Sequence, residues 1–92
     1  MIQVSYFAHI REMTGKKEES VATGGTVLDL MRALCGVYGA RFRAFCMDGG
    51  DSKISRNLNI LVNGKHIHHL KEGLTPLKDG DAVAIFPLIG GG

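Results

Sequence analysis

Ile2, Val4, Tyr6 and Ala8 alternate with Gln3, Ser5, Phe7 and His9 at the start of the chain. A period of two predicts a half-buried strand over residues 2–9, with Phe7 a large aromatic on the otherwise polar face. Residues 11–15 read as a turn, with Gly15 suited to positive φ. Residues 16–22 read as a second strand that closes a hairpin with the first. Thr23-Gly24-Gly25 ends it. Val27, Leu30, Met31, Leu34, Cys35 and Tyr38 then recur with helical period and predict an amphipathic helix. Thr26 suits its N-cap and Asp29 the N3 position, where a capping box prefers Glu or Gln. Gly39 suits C′. Gly36 interrupts the helix at a cost of about 1 kcal/mol relative to Ala, so close packing is expected there.

Residues 40–47 hold Phe42, Phe45 and Met47 and read as a short helix or an ordered loop. Residues 48–52 are a turn cluster. A strand is predicted over 58–63, and Asn63-Gly64 is a strong hairpin signal that would pair 58–62 with 65–69. Residues 70–77 read as loop, 78–81 as a turn and 82–88 as the last strand. The order β-β-α-(short element)-β-β-β describes an α+β domain. A hairpin, a helix across the sheet and returning strands match a β-grasp (ubiquitin-like) fold. The expected form is a mixed sheet of four to five strands packed on one main helix. Residues 1–89 form the expected domain and 90–92 a flexible tail.

At 92 residues the chain suits one domain. Hydrophobic residues at 45% and charged residues at 22% argue against disorder. No apolar run of about 18 residues is present, so no membrane contact is expected. The first residues show no secretory pattern, which makes the cytoplasm the expected location. A net charge of +2 with scattered basic residues does not call for a nucleic-acid partner. Cys35 and Cys46 are too few for a disulfide scaffold and read as reduced, partly buried hydrophobes. On a strand His66 and His68 would share a face and His69 would oppose it. Two imidazoles make half a metal site, so surface histidines on an edge strand are expected, with no metal. Dinucleotide, phosphate-loop and nucleophile-elbow motifs are all missing. No side chain stands out as catalytic.

The chemistry that remains is at the end of the chain. Gly90, Gly91 and Gly92 follow the last strand directly, and glycines can thread a slot that any Cβ would block. The α-carboxylate of Gly92, with a reference pKa of ~3.3–3.7, is ionised at neutral pH and is an oxygen nucleophile toward an activated phosphate. A frayed terminus is the plain alternative. Phe7, Leu61 and Phe86 fall on outward positions of strands that neighbour one another in a β-grasp. They would form an apolar docking patch beside the tail. A register shift of one residue would bury them instead.

Three stretches carry a family resemblance. Tyr6-Phe7-Ala8-His9-Ile10-Arg11-Glu12-Met13-Thr14-Gly15 and Leu61-Val62-Asn63-Gly64 are two of them. The third is Leu74-Thr75-Pro76-Leu77-Lys78-Asp79-Gly80-Asp81-Ala82-Val83-Ala84-Ile85-Phe86-Pro87 with the glycine end. The chain resembles the sulfur-carrier family of the molybdopterin synthase small subunit (MoaD/ThiS type), with the thiamin-pathway carrier as a cousin. The resemblance implies that an E1-like adenylyltransferase uses ATP to adenylate the Gly92 carboxylate. A sulfur donor then displaces AMP to leave a thiocarboxylate. It also implies that the large subunit of molybdopterin synthase, or an analogous acceptor enzyme, receives the sulfur. Gly90 and Gly91 would be the thread; Phe7, Leu61, Phe86, Leu88 and Ile89 would meet the partner. The carrier itself would bind no cofactor. The same activated end would serve a carrier for thiamin, cysteine or another sulfur metabolite, or a ubiquitin-like protein modifier. A binding module with an inert tail is the fourth alternative.

Overall fold

The computed structural model describes residues 1–88. In chain order the strands are β1 (Ile2–Tyr6), β2 (Glu18–Val21), β3 (Gly25–Thr26), β4 (Met47–Asp48), β5 (Lys53–Ile54), β6 (Leu58–Val62), β7 (Lys65–His66), β8 (Pro76–Leu77) and β9 (Ala82–Pro87). The helices are α1 (His9–Thr14), α2 (Val27–Tyr38) and α3 (Ala40–Cys46). Short 3-10 turns cover Ile67–His69 and Glu72–Leu74.

The main sheet has the order β2-β1-β9-β6-β7. Its central pair, β1 with β9, is parallel; the other pairs are antiparallel. The parallel pair needs a long crossover, and α2 supplies its main helix. This is the ubiquitin-like β-grasp in its mixed, five-stranded form. Among the described residues, no helix is long and apolar enough to cross a membrane.

The alternating pattern of β1 buries Ile2, Val4 and Tyr6, and β9 buries Val83 and Ile85 beside them. The stripe of α2 buries Val27, Leu30, Met31, Leu34 and Cys35 in the same cluster. Each side chain of that size contributes ~1.5–3 kcal/mol by leaving water. Thr26 and Asp29 form a full capping box. The Asp29 backbone N–H donates to Thr26 Oγ1 at 3.3 Å, and the Thr26 backbone N–H donates to Asp29 Oδ2 at 2.9 Å. Asp29, at the expected N3 position, thus closes the box although Glu or Gln is the usual residue there.

Several expectations are corrected. The first strand stops at Tyr6, not at residue 9, because Ala8 turns the chain at φ 51° and His9–Thr14 coils into α1. That helix replaces the expected turn and buries Ile10 and Thr14 on one side. Gly36 is exposed, and a Cβ there would meet nothing within 4 Å, so close packing does not explain it. Beyond Asn63-Gly64 the return strand pairs only at Lys65 and His66. The chain then tightens into a 3-10 turn that carries Ile67 into the core. The segment expected as loop contains β8, which pairs with β3 ahead of α2.

Candidate functional site

Alternation along β9 sends Val83 and Ile85 inward and leaves Ala84 and Phe86 on the open face of the sheet. On one side β6 sets Asn59 opposite Phe86 and Leu61 opposite Ala84. On the other side β1 sets Ser5 opposite Ala84. Phe7 follows β1 directly, and its backbone N–H donates to the Ile85 carbonyl at 3.2 Å. This carries its ring onto Phe86: the centroids are 4.6 Å apart with 23° between the planes. Offset stacking of this kind is worth ~0.5–1.5 kcal/mol beyond the area it buries. Leu61 is diagonal to Phe86 on the same face, the spacing at which long side chains still meet.

Two polar groups frame the patch. The Arg11 guanidinium lies 5.9 Å from the Phe7 centroid, and its Nε donates to the Tyr6 carbonyl at 3.3 Å. His66, opposite Leu61 on β7, has its Nε2 2.9 Å from Asn59 Oδ1. The His68 backbone N–H donates to His66 Nδ1 at 3.1 Å. Nδ1 is therefore the bare nitrogen, and Nε2–H donates to Asn59. Burial, then the neighbouring His68 ring, hold the His66 pKa below its ordinary value.

At the end of β9, Leu88 is 54% exposed, and its backbone N–H donates to the Asn57 carbonyl at 2.6 Å. Phe7, Leu61 and Phe86 are thus brought to one face of the sheet, with Leu88 at the end of β9 beyond Phe86. Ile89, Gly90, Gly91 and Gly92 lie outside the described residues. The sequence reading missed Arg11 as part of the patch because it placed Arg11 in a turn. It noticed His66 only as half of a metal pair.

Other chemistry on the chain is quieter. The His66 and His68 rings stack at 4.3 Å, and His68 Nδ1 sits 2.7 Å from Glu72 Oε1. Among the described residues no group of three His, Cys, Asp or Glu side chains could hold a metal. Both cysteines are free and buried. Burial, reinforced by Asp51 and offset in part by Arg43, raises the Cys35 pKa. Burial and the proximity of Cys35 push Cys46 up to about 12. Burial and the raised pKa values disfavour the thiolate at both positions.

Residues 4–92 match the ThiS family. The chain belongs to this family. It is 34% identical over 93 residues to small archaeal modifier protein 3 of Haloferax volcanii, covering 99% of this chain and 98% of that protein. It is 32% identical over 93 residues to the molybdopterin synthase sulfur carrier subunit of Escherichia coli, covering both chains in full. Its fold superposes with a TM-score of 0.83 on a chain of the Amycolatopsis orientalis BexX/CysO complex, at 28% identity with both chains fully covered. The chain is accordingly a ubiquitin-like member of a group that spans sulfur carriers and protein modifiers. In the Amycolatopsis orientalis structure the CysO protein is in complex with BexX.

Proposed function

We propose that this chain is a sulfur carrier whose working group is the C-terminal carboxylate of Gly92. An E1-like enzyme binds the carrier with ATP. A Gly92 carboxylate oxygen attacks the α-phosphorus, pyrophosphate leaves, and an acyl-adenylate results. A sulfur donor attacks the carbonyl carbon, AMP departs with the electron pair, and a thiocarboxylate remains. The carboxylate alone is a poor electrophile. Adenylation supplies the leaving group, so the carrier needs neither a base nor a metal of its own. Gly90 and Gly91 serve as the thread, while Phe7, Leu61, Phe86, Leu88 and Ile89 meet the partner. The sulfur goes to an acceptor subunit in molybdopterin synthesis.

The observation that carries this reading is the Phe7–Phe86 stack on the open face, at the end of the strand leading to the glycines. The full-length similarity to a molybdopterin synthase sulfur carrier subunit supports the pathway. A second reading, a modifier joined through Gly92 to protein lysines, is favoured by the similarity to small archaeal modifier protein 3.

The test adds the thiocarboxylated chain to the acceptor subunit of its source cell together with a sulfur-free pterin precursor. Formation of one dithiolene product for every two thiocarboxylates consumed supports the carrier reading. No product, with higher-mass conjugates in cell extract that resist thiol reductants, replaces it with the modifier.

A further inference from the structure

A cleft of about 550 Å³ lies at the Val62 end of β6, away from the Phe7–Phe86 stack. Asn59, opposite Phe86, is three residues further along β6, roughly 10 Å at strand rise. The floor is apolar, made by Val62, Leu70 and Pro76. The rim carries Lys65, Lys71 and Lys78, all exposed. Among the described residues none of these three ammonium groups forms an ion pair. One carboxylate borders the cleft, that of Asp81, and it is already committed. Its Oδ1 accepts from Asn63 Nδ2 at 3.0 Å and its Oδ2 from the Lys78 backbone N–H at 2.9 Å. Those bonds hold its pKa below the ordinary carboxylate value, the Lys78 backbone bond foremost.

Three rim cations, none in an ion pair among the described residues and together outnumbering the single Asp81 carboxylate, surround an apolar floor and complement an amphipathic anion. The cleft is open rather than enclosed, which suits an extended peptide better than a small molecule. We propose that it docks an acidic segment of a partner protein. Aspartate or glutamate side chains of that segment meet Lys65, Lys71 and Lys78, and an apolar side chain rests on Val62, Leu70 and Pro76. The cleft lies away from the Phe7–Phe86 stack, while Leu61 of the patch adjoins Val62 of its floor, so one partner can hold both, or two partners one each. This inference does not depend on what happens at Gly92.

The probe is a fluorescein-labelled peptide, Ala-Glu-Leu-Glu-Asp-Leu-Glu-Ala, titrated with the full chain and read by anisotropy. Binding is expected, falling with added salt. The triple change Lys65→Ala, Lys71→Ala and Lys78→Ala weakens it by roughly tenfold or more. The same loss of charge by Lys17→Ala, Arg41→Ala and Lys53→Ala leaves it within about twofold. Lys65→Arg, Lys71→Arg and Lys78→Arg together restore it. All three rim side chains are exposed, so unchanged melting of each variant is expected and is measured alongside. No binding, or equal weakening by both alanine triples, overturns the proposal. So does equal binding of the peptide with both leucines changed to serine. Tighter binding of a single-stranded RNA oligonucleotide through the same lysines would assign the cleft to nucleic acid instead.

Discussion

Ala8 turns the backbone at φ 51° and ψ −127°, a region that glycine enters freely and alanine does not. The turn ends β1 and starts α1, and so sets where Phe7 and Arg11 stand. Ala8→Gly should therefore relieve strain at an exposed position. A gain of about 1 kcal/mol and a rise of about 4–8 °C in melting temperature are expected. A fall in melting temperature would show that alanine is at ease there. Phe86 makes the complementary case. Phe86→Asp breaks the stack with Phe7 and sets a charge in the apolar patch. The expected stability cost is about 1–2 kcal/mol, with sulfur transfer to the acceptor roughly tenfold lower or worse. Global unfolding of the variant, seen by circular dichroism, would mean that the ring is core and not interface. The patch was legible because alternation sets Phe7, Leu61 and Phe86 out of phase with the buried residues and the expected β-grasp order makes their strands neighbours. Arg11 was not, since its place depends on the backbone turn at Ala8, which no side-chain pattern announces.

The Asn63-Gly64 hairpin was equally plain, and both residues adopt the positive φ that such a turn demands, 50° and 87°. α2 was legible to its caps, because its stripe, N-cap and terminal glycine all agree. α1 and β8 were not. α1 spans only six residues, too short to establish a helical period, and β8 pairs through two residues with a partner far along the chain. The end of β7 shows why the return strand stopped early. Ile67 is drawn into the core, and the His66 ring caps the resulting 3-10 turn through its bare Nδ1. Protonating Nδ1 removes that cap and adds a cation beside His68. Because the folded-state pKa is lowered, the stabilisation is whole above the ordinary histidine value and drains away as pH falls below about 6.5. His66→Asn keeps a capping acceptor but cannot titrate. Its urea midpoint should change less between pH 7 and pH 5 than that of the unaltered chain. Parallel pH curves for the two proteins would remove His66 from this role.

Glu19 ties the layers of the molecule together. On β2, its Oε2 accepts from the hydroxyl of Tyr6 on β1, at 2.6 Å, and from that of Tyr38 on α2; Lys16 Nζ meets Oε1 at 3.1 Å. Burial alone would raise its pKa, but the two tyrosine hydroxyls and Lys16 outweigh it, and the net direction is down. A lowered carboxyl stabilises the fold above its ordinary value of about 4.3 and loses that contribution as pH falls through the folded-state value. Acid unfolding followed by circular dichroism should therefore begin at a lower pH in Glu19→Gln than its neutral-pH stability alone would predict. An unchanged slope of stability against pH below about 4 would detach Glu19 from acid unfolding. The parallel pairing of β1 with β9 brings the strand nearest the start of the chain beside the strand that leads to the glycines. The apolar face that carries Phe7 and Phe86 is therefore a product of the whole fold and not of one hairpin.

Intact-mass spectrometry with tandem fragmentation, after incubation with ATP, a sulfide source and the cell's own activating enzyme, addresses the proposed chemistry most directly. The expected result is one oxygen-for-sulfur exchange that fragments to Gly92, requires ATP, and is absent from a chain lacking Gly91 and Gly92. An unchanged mass under those conditions, or an exchange that maps to any other residue, would contradict it.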